Sequence, residues 1–124
     1  KVVSGGELSR ILLSIKSILS RHLNLPTMIF DEIDTGVSGE MSNAMANLMV
    51  KMSKKMQIIS ITHLPQIAAK GDYHYNVFKN DNLGISNTQI KKLDRNDRIK
   101  EIAKMLSGDK VSSSALIHAE ELLN

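Results

Sequence analysis

The stretch Thr27–Glu32, reading Thr-Met-Ile-Phe-Asp-Glu, limits the available folds more than any other part of the chain. Three apolar residues run directly into two carboxylates, and Pro26 closes the stretch from behind. That pattern predicts a short buried strand. A similar run, Gln57-Ile58-Ile59-Ser60-Ile61-Thr62, ends at His63. Between the two, Met41, Ala44, Met45, Leu48, Met49 and Met52 repeat with helical spacing, which predicts a helix over about 40–53 packed into a core. Strand, crossover helix and strand form a βαβ unit, whose strands run parallel and are buried on both faces. Their carboxyl ends share one edge of the sheet, where ligands gather. Asp31, Glu32 and His63 are therefore expected together there. A hard cation such as Mg²⁺ takes carboxylate oxygens and shares its other positions with water and phosphate. Asp31 can hold such an ion, leaving Glu32 to take a proton from an attacking water. The alternative is that two acids end a strand and solvate its tip, with His63 a structural residue.

The N-terminal stretch carries the second constraint. Ser4-Gly5-Gly6-Glu7 opens a helix in which Leu8, Ile11, Leu12, Ile15, Ile18 and Leu19 form an apolar stripe. Ser4 and Glu7 satisfy a capping-box pattern, so a well-capped helix is one reading. Two glycines weaken a first turn, however, and suit a place where something approaches the backbone closely. A helix N-terminus with free N–H groups and no side chains in the way suits a phosphate.

The rest of the chain is less pointed. Ile33-Asp34-Thr35-Gly36-Val37-Ser38-Gly39 is a loop with a third acid. A short helix from Leu64 through about Lys70 stops at Gly71. Residues 73–79 and 85–93 read as strands flanking Asp81-Asn82-Leu83-Gly84. A helix over about 95–106 turns Ile99, Ile102, Ala103 and Leu106 inward, and Gly108 ends it. A last helix over about 113–123 buries Ala115, Leu116, Ala119, Leu122 and Leu123. The basic cluster Lys91, Lys92, Arg95, Arg98, Lys100 and Lys104 reads as a solvated face.

The chain's 124 residues are one domain's worth, enough for one modest core. There is no cysteine, which excludes disulfides and cysteine–metal sites. A net charge of +3 permits a nucleic-acid partner without arguing for one, and 3% aromatic residues supply few base-stacking platforms. No apolar run reaches the roughly 20 residues of a membrane span. The chain starts at Lys1 with its most informative motif almost immediately following, which suggests a piece of something longer.

The order of these motifs resembles a known family. Val3-Ser4-Gly5-Gly6-Glu7-Leu8-Ser9-Arg10 is similar to the signature motif of ABC-type ATPases. Thr27–Glu32 resembles their Walker B with its following glutamate, Asp34 their D-loop aspartate and His63 their switch histidine. Asp31-Glu32-Ile33-Asp34 resembles the SMC-like branch, because transporters usually carry proline after the glutamate. Asp-Glu-Ile-Asp-Thr-Gly-Val-Ser-Gly, then Ile61-Thr62-His63-Leu64-Pro65-Gln66-Ile67-Ala68-Ala69, is similar to the RecN family of bacterial DNA repair ATPases. Glu101-Ile102-Ala103-Lys104-Met105-Leu106-Ser107-Gly108 resembles that family's C-terminal tail.

The resemblance implies an α/β fold, residues 1–124 being the C-terminal lobe of an ABC-type ATPase head. Ser4, Gly5, Gly6 and Glu7 would form the signature turn, meeting the γ-phosphate of ATP held by the opposite head of a homodimer. Asp31 would support Mg²⁺, Glu32 would be the general base, His63 would orient the water and sense the γ-phosphate, and Asp34 would couple the heads. The implied partners are a P-loop lobe and coiled coil from the N-terminal part of the same protein, and DNA, in the cytoplasm at the nucleoid. One departure stands out: no G-x-x-x-x-G-K-[ST] occurs, so the loop that cradles the β- and γ-phosphates is missing. The chain alone is therefore expected to hydrolyse no ATP, and an apolar sheet edge should lie bare and invite self-association. Two rival functions remain at this stage: a non-catalytic dimerisation lobe, and a stand-alone metal-dependent phosphohydrolase using Asp31, Glu32 and His63.

Overall fold

The computed structural model describes residues 5–82 and 85–124, which form two compact units divided between Lys70 and Gly71. Ser4, and the Leu83-Gly84 part of the expected hairpin loop, lie outside the described residues.

In the first unit α1 (Gly5–Leu23) leads into β1 (Thr27–Asp31). The crossover helix α2 (Glu40–Ser53) returns the chain to β2 (Gln57–Ile61), and α3 (Pro65–Ala69) follows. Pro65 stands in the first turn of α3, where its fixed φ fits and its missing N–H costs nothing. The strands β1 and β2 are parallel neighbours, with Ile29 opposite Ile59 and Asp31 opposite Ile61. Met28 and Phe30 point from one face of β1 into a core shared with Met45, Ala46, Met49 and Met52 of α2. The methionine stripe is thus core packing, although Ala44 is exposed.

Burial on both faces, expected for these strands, is not observed. Ile29, Ile59 and Ile61 share the other face and are 55%, 44% and 52% exposed. The bare apolar surface is thus a sheet face as well as an edge. Helix α1 also turns an apolar face outward. Its apolar stripe of Leu8, Ile11, Leu12, Ile15, Ile18 and Leu19 is exposed, while Ser9, Leu13, Ser17 and Ser20 are buried. Short hydroxyl side chains let a helix pack closely on its inner side. Lys16 adds a bond from its Nζ to the Ile29 carbonyl (3.3 Å) and lies over the Phe30 ring.

In the second unit β3 (Tyr75–Asn82) and β4 (Ile85–Lys92) form an antiparallel hairpin, followed by α4 (Arg95–Ser107) and α5 (Ser113–Leu123). The Asp94 carboxylate accepts from the Asp97 N–H (2.8 Å) and caps α4; the Ser112 hydroxyl caps α5 through the Ala115 N–H (3.2 Å). Gly108, at φ +75°, terminates α4 as expected. Ile102, Ala103, Ala115 and Ala119 are buried, but Leu116 is exposed because the small alanines take the inward positions of α5.

Candidate functional site

The parallel register builds the site. The Glu32 N–H donates to the Ile61 carbonyl (3.0 Å), extending the ladder one step beyond β1. Glu32 and the Thr62–His63 segment therefore leave the sheet at the same end, as the βαβ argument requires. Asp31, Glu32 and His63 are all exposed there. Glu32 has φ +44°, in the left-handed region that a branchless glycine enters freely and glutamate does not. Such a conformation costs about 1–2 kcal/mol. It turns the chain sharply at the end of β1 into a loop closed by Thr35, whose hydroxyl donates to the Glu32 carbonyl (2.9 Å).

Asp34 lies inside that loop, 1% exposed. The Thr62 hydroxyl donates to its Oδ2, while Oδ1 is buried without a hydrogen-bond partner among the described residues. His63 Nδ1 lies 3.8 Å from that oxygen. The Leu64 N–H donates to Thr62 Oγ1 (3.0 Å), so one side chain both closes the turn around His63 and holds the acid.

The glycine turn meets the same loop from the other side. Gly5 is exposed and carries no crowding, a Cβ there meeting only the Thr35 carbonyl at 3.7 Å. Gly6 is different, because a Cβ there would come within 2.7 Å of the Gly36 carbonyl oxygen. The close approach that the sequence suggested is thus present at Gly6 as a backbone-to-backbone contact. The Ser9 hydroxyl lies within reach of both the Gly5 carbonyl (3.0 Å) and the Thr35 carbonyl (3.2 Å). Glu7 lies exposed in the first turn of α1.

Ser9, Gly36 and Thr62 were not singled out by sequence. Only Thr62 had a usable signal, a hydroxyl residue at a strand end directly before a candidate histidine. The basic cluster of the second unit is largely engaged within that unit. Lys91 pairs with Asp97 (2.7 Å) and its hydrogen bond holds the Asp97 carboxyl below the usual range. The Arg98 guanidinium donates to the Gly71 carbonyl (2.7 Å), and Lys92 lies over the Tyr73 ring.

No cluster of three or more His, Cys, Asp or Glu side chains suited to a metal occurs among the described residues. An exposed carboxylate at a strand end, such as Asp31, still suits Mg²⁺, which takes one or two protein carboxylates and fills its other positions with phosphate and water.

This arrangement is that of a lobe of an ABC-type ATPase head of the SMC branch. An Smc head solved with the C-winged helix domain of ScpA is 28% identical, with TM-score 0.64 over 76% of this chain and 28% of that one. An SMC ATPase, from work on ATP-driven dimerization and DNA-stimulated activation, shares the fold at 21% identity and TM-score 0.67, over 87% of this chain and 65% of that one. No family model matches the chain. In sequence the chain resembles the C-terminal part of the RecN proteins along nearly its whole length. The DNA repair protein RecN of Bacillus subtilis is 45% identical over 99% of the chain. The chain spans about a fifth of the length of the curated relatives it matches, 21% in that case. No described helix is long and apolar enough to cross a membrane.

Proposed function

We propose that this chain supplies half of a nucleotide site in the head of a RecN-like ATPase that repairs DNA double-strand breaks by recombination. The observation that carries this reading is the common edge of β1 and β2, from which Glu32 and His63 emerge, with the Gly5–Gly6 turn packed against the loop between them. Asp31 would hold Mg²⁺, which when bound neutralises charge on the β- and γ-phosphates. Glu32 accepts a proton from the attacking water as its oxygen bonds to the γ-phosphorus, and the bond to the bridging oxygen of ADP breaks. His63 orients that water. Gly5, Gly6 and Glu7 offer backbone N–H groups and the positive end of α1 to the γ-phosphate held by the opposite head of a homodimer, and Ser4 completes the signature motif in sequence. Asp34 links this loop to the switch segment.

The remaining half of the pocket comes from a P-loop lobe. The half-exposed Ile29, Ile59 and Ile61 and the outward stripe of α1 support such a partner, because covering what remains exposed of each isoleucine gains about 1 kcal/mol. A coiled coil joins the lobes, DNA is engaged by the whole protein, and the site of action is the cytoplasmic nucleoid. Alone, the chain hydrolyses no ATP.

The test joins this chain to a P-loop lobe and measures ATP turnover with Mg²⁺. Glu32→Gln should retain nucleotide binding and lose turnover by about 100-fold or more. Unchanged turnover would favour a dimerisation lobe without chemistry. Phosphatase activity from the chain alone would favour a stand-alone hydrolase.

A further inference from the structure

We propose that Thr62 is a positioning residue for His63, acting through the Asp34 carboxylate. The inference deepens the functional reading above, since it takes His63 as the residue that orients the attacking water.

A carboxylate as buried as Asp34 needs hydrogen-bond donors. Thr62 gives it one, on Oδ2. A threonine hydroxyl has a single proton, and here it goes to Asp34, while its oxygen accepts from the Leu64 N–H at 3.0 Å. Its one donor and one of its two acceptor lone pairs are thus committed. The result fastens the backbone on either side of His63 to the loop that begins at Glu32. Asp34 Oδ1 is then left buried, without a hydrogen-bond partner among the described residues, facing His63 Nδ1 at 3.8 Å. That separation exceeds a hydrogen bond. A small rotation of the exposed imidazole closes it, Nδ1–H donating to Oδ1.

A carboxylate beside Nδ1 selects the tautomer with its proton there and directs Nε2 away from the protein. Nε2 is then the nitrogen offered to a water or a phosphate oxygen. Thr62 controls this at one remove. Without its hydroxyl, Asp34 loses its side-chain donor among the described residues and the turn carrying His63 loses its tie. A purely structural Thr62 would hold the turn and leave the imidazole tautomer unaffected.

The two roles separate in the ring-nitrogen NMR shifts of the ¹⁵N-labelled chain, with His63 assigned by comparison with His63→Gln. The expected result is a neutral His63 ring protonated mainly at Nδ1 in the parent and in Thr62→Ser. Thr62→Val and Asp34→Asn should both shift the proton toward Nε2. An unchanged tautomer in Asp34→Asn, or a Thr62→Ser chain that behaves like Thr62→Val, overturns the proposal. Should Thr62→Val not fold, Asp34→Asn and Thr62→Ser carry the same comparison.

In the two-lobe head, Thr62→Val should lower kcat about tenfold with little change in KM, and Thr62→Ser should restore it. Turnover by Thr62→Val equal to the parent overturns the proposal. If the parent head itself fails to hydrolyse ATP, the functional reading falls, whereas the tautomer measurement on the chain still decides the link from Thr62 through Asp34 to His63.

Discussion

Replacing Gly6 by alanine probes the contact between the glycine turn and the loop that carries Glu32 and Asp34. The added Cβ would sit 2.7 Å from the Gly36 carbonyl oxygen and 3.4 Å from its carbon, both backbone atoms that no rotamer change can remove. Carbon and oxygen rest comfortably at about 3.3–3.6 Å, so the two backbones must part by roughly 0.6 Å. Overpacking of this kind costs about 1–3 kcal/mol. Alanine returns up to about 1 kcal/mol of helix propensity. Since Gly5→Ala gains the same propensity without the clash, Gly6→Ala should be about 1–3 kcal/mol less stable than it. Gly5→Ala is the internal control, because its Cβ meets only the Thr35 carbonyl at an ordinary 3.7 Å. It should be neutral or slightly stabilising. Urea unfolding followed by far-UV circular dichroism measures both, with equal m-values as the check that only stability has changed. A Gly6→Ala chain as stable as Gly5→Ala would refute the reasoning, and the close approach at Gly36 with it.

Three further outcomes are expected. Glu32→Gly relieves the left-handed backbone at φ +44° and should raise stability by up to about 1 kcal/mol in the same unfolding assay, while abolishing turnover in a two-lobe head. Ile102→Ala empties a fully buried position of α4 and should cost about 2–5 kcal/mol by thermal or urea unfolding. Burial, then Arg98, lowers the His74 pKa from its ordinary value, while Glu101 opposes them more weakly. Because the folded state disfavours the charged ring, this contribution to stability is fully present above about pH 6.5 and is lost as the pH falls through the lowered value. His74→Phe should flatten that segment of the stability–pH curve.

The strand-and-acid pattern of Thr27–Glu32 and its repeat at Gln57–Thr62 were enough to bring Glu32 and His63 to one end of the sheet. A helix of the right length between two apolar runs leaves parallel pairing as the economical solution, and register then brings His63 to Glu32. The stop at Gly108 was equally readable, because it is a local matter of one residue's backbone preference. Which face of each element is covered was not readable. The α1 stripe has the periodicity of a buried face, yet the serine side is the one that packs, since periodicity reports that a face is apolar and not what meets it. The same limit explains Leu116 and the outward isoleucines of β1 and β2. Asp34 reads in sequence as one more loop acid. Its burial depends on Thr62, distant in sequence, whose hydroxyl meets it only once β1 and β2 are paired.

The central claim, a pocket shared between two heads, is tested most directly by mixing two inactive variants of the two-lobe head. On the proposed roles, Ser4→Arg would disable the signature turn offered to the opposite head, and Glu32→Gln would remove the base of a head's own site. In a mixed dimer one pocket combines the intact Glu32 of one head with the intact turn of the other. Equal mixing should therefore restore about a quarter of the parent ATPase rate, since about half the dimers are mixed and each holds one sound pocket. A mixture as inactive as either variant alone would contradict the account.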